Sequence, residues 1–216
     1  KELNNDLIKE LLQLCKAEHI PVVRVPDAKL NRITRKNHQG VIAQMSTIAY
    51  ASLDNVIDQC YAVGKAPLIL VLDHLTDVRN FGAIARTAEC AGVDAIVIPE
   101  KGSAQINSDA VKTSAGALNF IPVARVKNLF YTCRDLQKMG LSLIAITEKT
   151  EKLMYDGDFA SPVALIMGSE EDGISQEIMG MVDDRVKIPL AGSIKSLNVS
   201  AAAGVAIYEA IRQRKK

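Results

Sequence analysis

Val163-Ala164-Leu165-Ile166-Met167-Gly168-Ser169-Glu170-Glu171-Asp172-Gly173 decides the fold. Five consecutive apolar residues, without the polar alternation of a half-exposed strand, read as a strand buried on both faces, the mark of a parallel sheet covered by helices. The run stops at a glycine, and an acidic turn closed by a second glycine follows. In an open α/β sheet ligands lie outside the carboxyl ends of the strands, so this turn is where a small molecule meets exposed backbone.

Working outward, similar apolar runs at 68–72, 95–98, 120–123, 142–146 and 186–188 predict the other strands, with a connecting helix at 52–62 ahead of them and helices between them at 83–91 and 129–139. In 83–91 the spacing puts Ile84, Ala88 and Ala91 on the buried side and leaves Arg86 and Glu89 elsewhere. A last helix, 198–212, carries Val199, Ala202, Ala203, Ala206, Ile207 and Ala210 on one broad stripe, small enough for close approach by a neighbouring helix or a second subunit. This alternation spans 48–216. Ahead of it, 1–47 reads as a separate small module. Asn4, Asn5 and Asp6 offer caps to a helix whose face is Leu7, Ile8, Leu11, Leu12 and Cys15, and 22–25 and 40–45 look like strands. So short a module, in a chain that starts at Lys1, is expected to be the latter part of a longer domain.

Bulk properties exclude more than they assign. A chain of 216 residues with 48% apolar and 24% charged residues supports a full core. No stretch approaches the roughly 20 apolar residues of a membrane helix, and no signal peptide is evident, so a cytoplasmic protein is expected. Cys15, Cys60, Cys90 and Cys133 are widely spaced without a Cys-x-x-Cys pair, and His19, His38 and His74 show no ligand spacing, so no metal is expected. The net charge of +1 hides two cationic clusters, Lys29, Arg32, Arg35, Lys36 and His38 without an intervening acid, and Arg212, Arg214, Lys215 and Lys216. Such clusters either neutralise phosphates or form a solvated face.

Neither the dinucleotide Gly-x-Gly-x-x-Gly nor the P-loop fingerprint is present. Instead three segments stand in order: Asp77-Val78-Arg79-Asn80-Phe81-Gly82-Ala83-Ile84-Ala85-Arg86, the Gly168 to Gly173 turn, and Ile188-Pro189-Leu190-Ala191-Gly192-Ser193-Ile194-Lys195-Ser196-Leu197-Asn198-Val199-Ser200. Together they resemble the three motifs of the SpoU (TrmH-like) RNA ribose 2′-O-methyltransferases of the SPOUT class. Val78 departs from the proline many members carry there, while Asn80, Gly82 and Arg86 keep their spacing.

The resemblance implies an α/β parallel-sheet methyltransferase domain with a C-terminal trefoil knot, which topology rules alone would not propose. It implies S-adenosyl-L-methionine as cofactor, contacted largely by the main chain at Gly168, Ile188, Gly192 and Leu197, and a homodimer. The substrate side falls to Asn80, Arg86, Glu170, Ser196 and Asn198, with Ser200 further in. Arg86 is implied in removing the proton of the attacking 2′-hydroxyl. A guanidinium with a pKa above about 12 suits instead the holding of a phosphate and of the forming alkoxide. Glu170 would fix Arg86 or the cofactor loop. Ser196 and Asn198 would cap the last helix, whose amino end is a natural seat for a phosphate or ribose.

The first module is similar to the second half of the ribosomal-protein-like substrate-binding domain of the large-subunit rRNA members, which implies RNA contact through Arg35 to Gly40 and a 2′-O-methylguanosine in 23S rRNA as product. Alternatives are a tRNA ribose methyltransferase and a non-catalytic RNA-binding paralogue that keeps the fold.

Overall fold

The computed structural model describes residues 6–18, 20–43, 48–104, 106–169, 171–194 and 196–215. The chain divides into two compact units, Lys1–Met45 and Ser46–Lys216. In the first, α1 (Asp6–Ala17) and α2 (Asp27–Ile33) are the regular elements among the described residues. Only Leu30 of this unit is buried among its described residues, and no residue of α1 is. The expected strand at 22–25 is absent, and Val22 and Val23 lie exposed in irregular chain. Residues 40–43 are likewise irregular, and 44–45 fall outside the described residues. β-branched residues gave these segments strand character, but they lie exposed or half-exposed among the described residues, with no face of theirs buried. His38 is structurally engaged: its Nδ1 accepts the Gly40 N–H at 3.0 Å, and its Nε2 lies 3.1 Å from Asn31 Oδ1.

The second unit is a six-stranded, wholly parallel sheet in the order β3-β2-β1-β5-β4-β6, with β1 Leu68–Leu72, β2 Ala95–Pro99, β3 Val123–Val126, β4 Ser142–Ile146, β5 Val163–Met167 and β6 Asp184–Val186. β1 and β5 form the seam, in register from Leu68 opposite Val163 to Leu72 opposite Met167. Every residue of both strands is buried, as unbroken apolar runs require. The pleat sends Leu68, Leu70 and Leu72 to one face, against α4 (Val78–Ala91), α5 (Ser108–Thr113) and α8 (Val199–Arg214). It sends Ile69 and Val71 to the other, against α3 (Leu53–Ala62), α6 (Leu129–Lys138) and the short α7 (Gln176–Met179).

α4 begins at Val78, five residues before the expected start, because the Asp77 side chain caps it by accepting the Asn80 N–H at 2.7 Å. Gly82 lies inside this helix for a packing reason. A Cβ there would meet Thr113 Cβ at 2.8 Å and the Ala110 carbonyl oxygen at 2.9 Å, so α5 crosses α4 at backbone distance. Phe81, 1% exposed, anchors the first turn, and burying such a side chain contributes about 2–3 kcal/mol.

Two strands lie displaced from the apolar runs that predicted them. β3 starts at Val123 rather than at Phe120, which follows a tight turn and is 78% exposed. β6 starts at Asp184 rather than Val186, its partly exposed Asp184 and exposed Arg185 fitting the charged character of a sheet edge.

Candidate active site

At the carboxyl ends of β4 and β5 lies a cavity of about 340 Å³. Its apolar wall is Ile146, Met167, Ile188, Leu197 and Ala202, and its polar wall is Thr147, Glu148, Lys187 and Ser196. The volume is at the lower end of the range for sites that enclose a small organic molecule, and the lining is the mix that shelters a flat apolar ring beside polar groups. Lys187 Nζ is held 2.7 Å from Glu151 Oε2, and this hydrogen bond keeps the Glu151 carboxyl below the ordinary carboxylate range. Glu148 has no such cation paired with it among the described residues.

Of the expected cofactor residues, Ile188, Gly192 and Leu197 line this cavity, as does Ser196. Gly168 is not among the lining residues; its neighbour Met167 is. Gly168 serves the shape of the turn. The Ser169 and Gly173 backbones bond each other in both directions at 3.1 and 3.2 Å, folding the loop so tightly that a Cβ on residue 168 would fall 2.0 Å from the Gly173 carbonyl carbon. Gly173 itself has φ +72°, where L side chains are disfavoured. Glu170 lies outside the described residues.

The first and third motifs meet beside the cavity. Asn198 caps α8, its Oδ1 accepting from the Ser200 N–H at 2.9 Å and from the Ser200 hydroxyl at 2.5 Å. Its Nδ2 donates to Asn80 Oδ1 at 3.1 Å, across 118 residues of sequence. One asparagine thus fixes the amino end of α8 and the orientation of the Asn80 amide on α4. Arg86, two turns further along α4, is exposed and forms no ion pair with Glu89.

In the second cationic cluster one arginine is spent inside the fold and another is paired at its surface. Arg214 donates to the carbonyls of Ala66, Pro67, Phe159 and Ser161 at 2.6 to 3.0 Å. Arg212 clasps the buried carboxylate of Glu209 through two bonds of 2.7 Å, which raises its own pKa. Sequence reading missed Thr147, Glu148 and Lys187 as cavity residues; their signal was only a polar residue directly after a buried strand.

Two family models match the chain, the SpoU rRNA Methylase family over residues 67–208 and RNA 2′-O ribose methyltransferase substrate binding over residues 1–51. A relative named 23S rRNA (guanosine-2′-O-)-methyltransferase RlmB, from Vibrio parahaemolyticus, is 39% identical over 89% of this chain and 81% of its own length. A putative TrmH family tRNA/rRNA methyltransferase, YacO of Bacillus subtilis, is 35% identical over 95% and 83%. The crystal structure of the SpoU methyltransferase AviRb from Streptomyces viridochromogenes in complex with AdoMet superposes with a TM-score of 0.69 at 28% identity, over 77% of this chain and 66% of that one.

Proposed function

The chain belongs to the SpoU rRNA methylase family, and from that premise we propose that it methylates the ribose 2′-hydroxyl of a guanosine in 23S rRNA. It is an S-adenosylmethionine-dependent RNA 2′-O-methyltransferase. The cavity suits that cofactor: Ile146, Met167, Ile188 and Leu197 would flank its adenine, and the polar wall would meet its ribose and amino acid. When bound, the cofactor supplies an electrophilic methyl group.

The remaining work falls to residues of the chain. Asn80, held in place by Asn198, would orient the substrate ribose. Arg86, exposed and free of a pairing carboxylate on its own helix, would grip the neighbouring phosphate and stabilise the forming alkoxide, a role that needs no loss of its proton. The amino end of α8, with Ser196 and Asn198, would complete the anion-binding side. Glu170 would steady the cofactor loop.

The observation that carries this reading is the Asn198–Asn80 hydrogen bond, which joins the third motif to the first at the rim of the cavity. The family's trefoil knot is part of the same reading. In its support, β6 pairs on the outer side of β4, yet the chain returns so that α8 packs against α4 over the other half of the sheet. Residues 1–47, with exposed Arg35 and Lys36, would hold the rRNA, and the exposed Val205 and Tyr208 of α8, with Ile194 before it, would be covered in a homodimer. The proposed place of action is the cytoplasm.

The test is to map 2′-O-methylation in 23S rRNA and tRNA from a strain lacking the gene and from its complemented parent. Loss of a methylguanosine from 23S rRNA is expected. Loss confined to tRNA would overturn the rRNA assignment, and no loss at all would overturn the activity.

A further inference from the structure

Directly after β1, Asp73 is a fully buried carboxylate, 0% exposed, and it touches both ends of the glycine turn that follows β5. Its backbone N–H donates to the Met167 carbonyl at 2.8 Å, at the entry of the turn. Its Oδ2 accepts the Ser175 N–H at 2.8 Å, at the exit, from 102 residues further along the chain. The other oxygen, Oδ1, lies 2.5 Å from His74 Nδ1. A buried carboxylate without donors is costly, so this pair of contacts is what lets Asp73 stay inside. Its charge also reaches the Cys133 thiol, which is pushed up to about 12 by burial and, secondarily, by Asp73.

His74 is shaped to this arrangement. It adopts φ +55°, uncommon for a residue with a side chain, and its ring lies over Gly102, where a Cβ would meet Cδ2 at 2.8 Å. Strain of this kind persists only where surrounding contacts enforce it. The imidazole closes the outer side of the carboxylate and leaves Oδ2 directed at Ser175.

We propose that Asp73 is a positioning residue for cofactor binding: it bonds the chain at Met167 and at Ser175, on either side of the glycine turn, so that Met167 keeps its place in the wall of the cavity. This rests on the methyltransferase reading of that cavity. Asp73 touches neither cofactor nor RNA; it acts through the turn. A loosened turn lowers affinity for the cofactor and leaves the chemical step intact once the cofactor is saturating.

Asp73→Ala is the first probe, and Ser175→Pro is added in that background. Ser175 has φ −56° and ψ 145°, which proline adopts, and once the Asp73 carboxylate is gone the ring has room where the N–H pointed. Titration calorimetry of the full chain with S-adenosylhomocysteine is expected to show roughly tenfold weaker binding for Asp73→Ala. The double variant should bind no worse than Asp73→Ala, because both changes remove the same bond. Asp73→Asn, which keeps an oxygen for the Ser175 N–H, should recover most of the affinity. In methyl transfer, Asp73→Ala should raise KM for S-adenosylmethionine with little change in kcat or in KM for RNA, whereas a merely unstable protein loses kcat at constant KM. Wild-type affinity in Asp73→Ala, or a further loss in the double variant, would overturn the proposal. Absence of binding by the wild-type chain would instead overturn the methyltransferase reading itself.

Discussion

Arg86 and Arg214 are both arginines near a helix end or face, and sequence alone gives them equal claim to a phosphate. The fold separates them: Arg86 is exposed, whereas Arg214 is desolvated among four carbonyls, and that burial lowers its pKa despite the compensating charges of Asp94 and Asp158. Arg86→Ala is therefore expected to abolish methyl transfer, by at least a hundredfold in kcat, with S-adenosylhomocysteine affinity unchanged in calorimetry. Arg214→Ala is expected instead to cost about 2–3 kcal/mol in urea unfolding, since four carbonyls, most of them partly buried, lose a charged donor. The thiols give a third expectation. Burial pushes Cys60 up to about 11, with Asp94 adding to it, and Cys133 up to about 12, from an ordinary 9.0. Because the folded values are raised, the stability tied to keeping these thiols protonated is complete below pH 9. It falls as the unfolded chain ionises first, between pH 9 and about 12. Urea midpoints measured across that range should decline more steeply in wild type than in Cys133→Ala.

The strands at the centre of the sheet were legible because β1 and β5 are buried on both faces and advertise it as unbroken apolar runs; at the edges that logic weakens. Asp184 and Arg185 at the rim belong to a strand without being apolar, and Phe120 is apolar without belonging to one. The start of α4 lies five residues before the expected one, and Gly82, inside the helix, serves as a contact between helices. That contact is open to measurement. Gly82→Ala favours helix by roughly 1 kcal/mol in isolation. Here the methyl would strike Thr113 and Ala110, so a net loss of about 1–3 kcal/mol in thermal or urea unfolding is expected. At the candidate site the three motifs were legible as segments. The contact of the first and third through Asn198 and Asn80 was not legible, since 118 residues separate the pair. Asp73 was invisible because a single acid after a strand has no pattern of its own.

At the scale of the molecule, apolar residues left uncovered on and before α8, Ile194 at 76% and Tyr208 at 53% exposure, predict association. Light scattering behind size exclusion should return twice the 23.4 kDa chain mass, and Tyr208→Glu with Val205→Glu should return a monomer. The sheet's order also has a consequence for how the protein comes into being. β1, β2 and β3 occupy one contiguous stretch of chain and β4, β5 and β6 another, joined only where β1 meets β5, while α8, made after all six strands, covers α4 in the first half. A nascent chain that has released only the first half therefore lacks β5 beside β1 and α8 beside α4. Until translation reaches the last helix, the growing chain shows apolar surface of the kind that draws aggregation, and the carboxyl ends of β4 and β5, which line the cavity, are completed only late in synthesis.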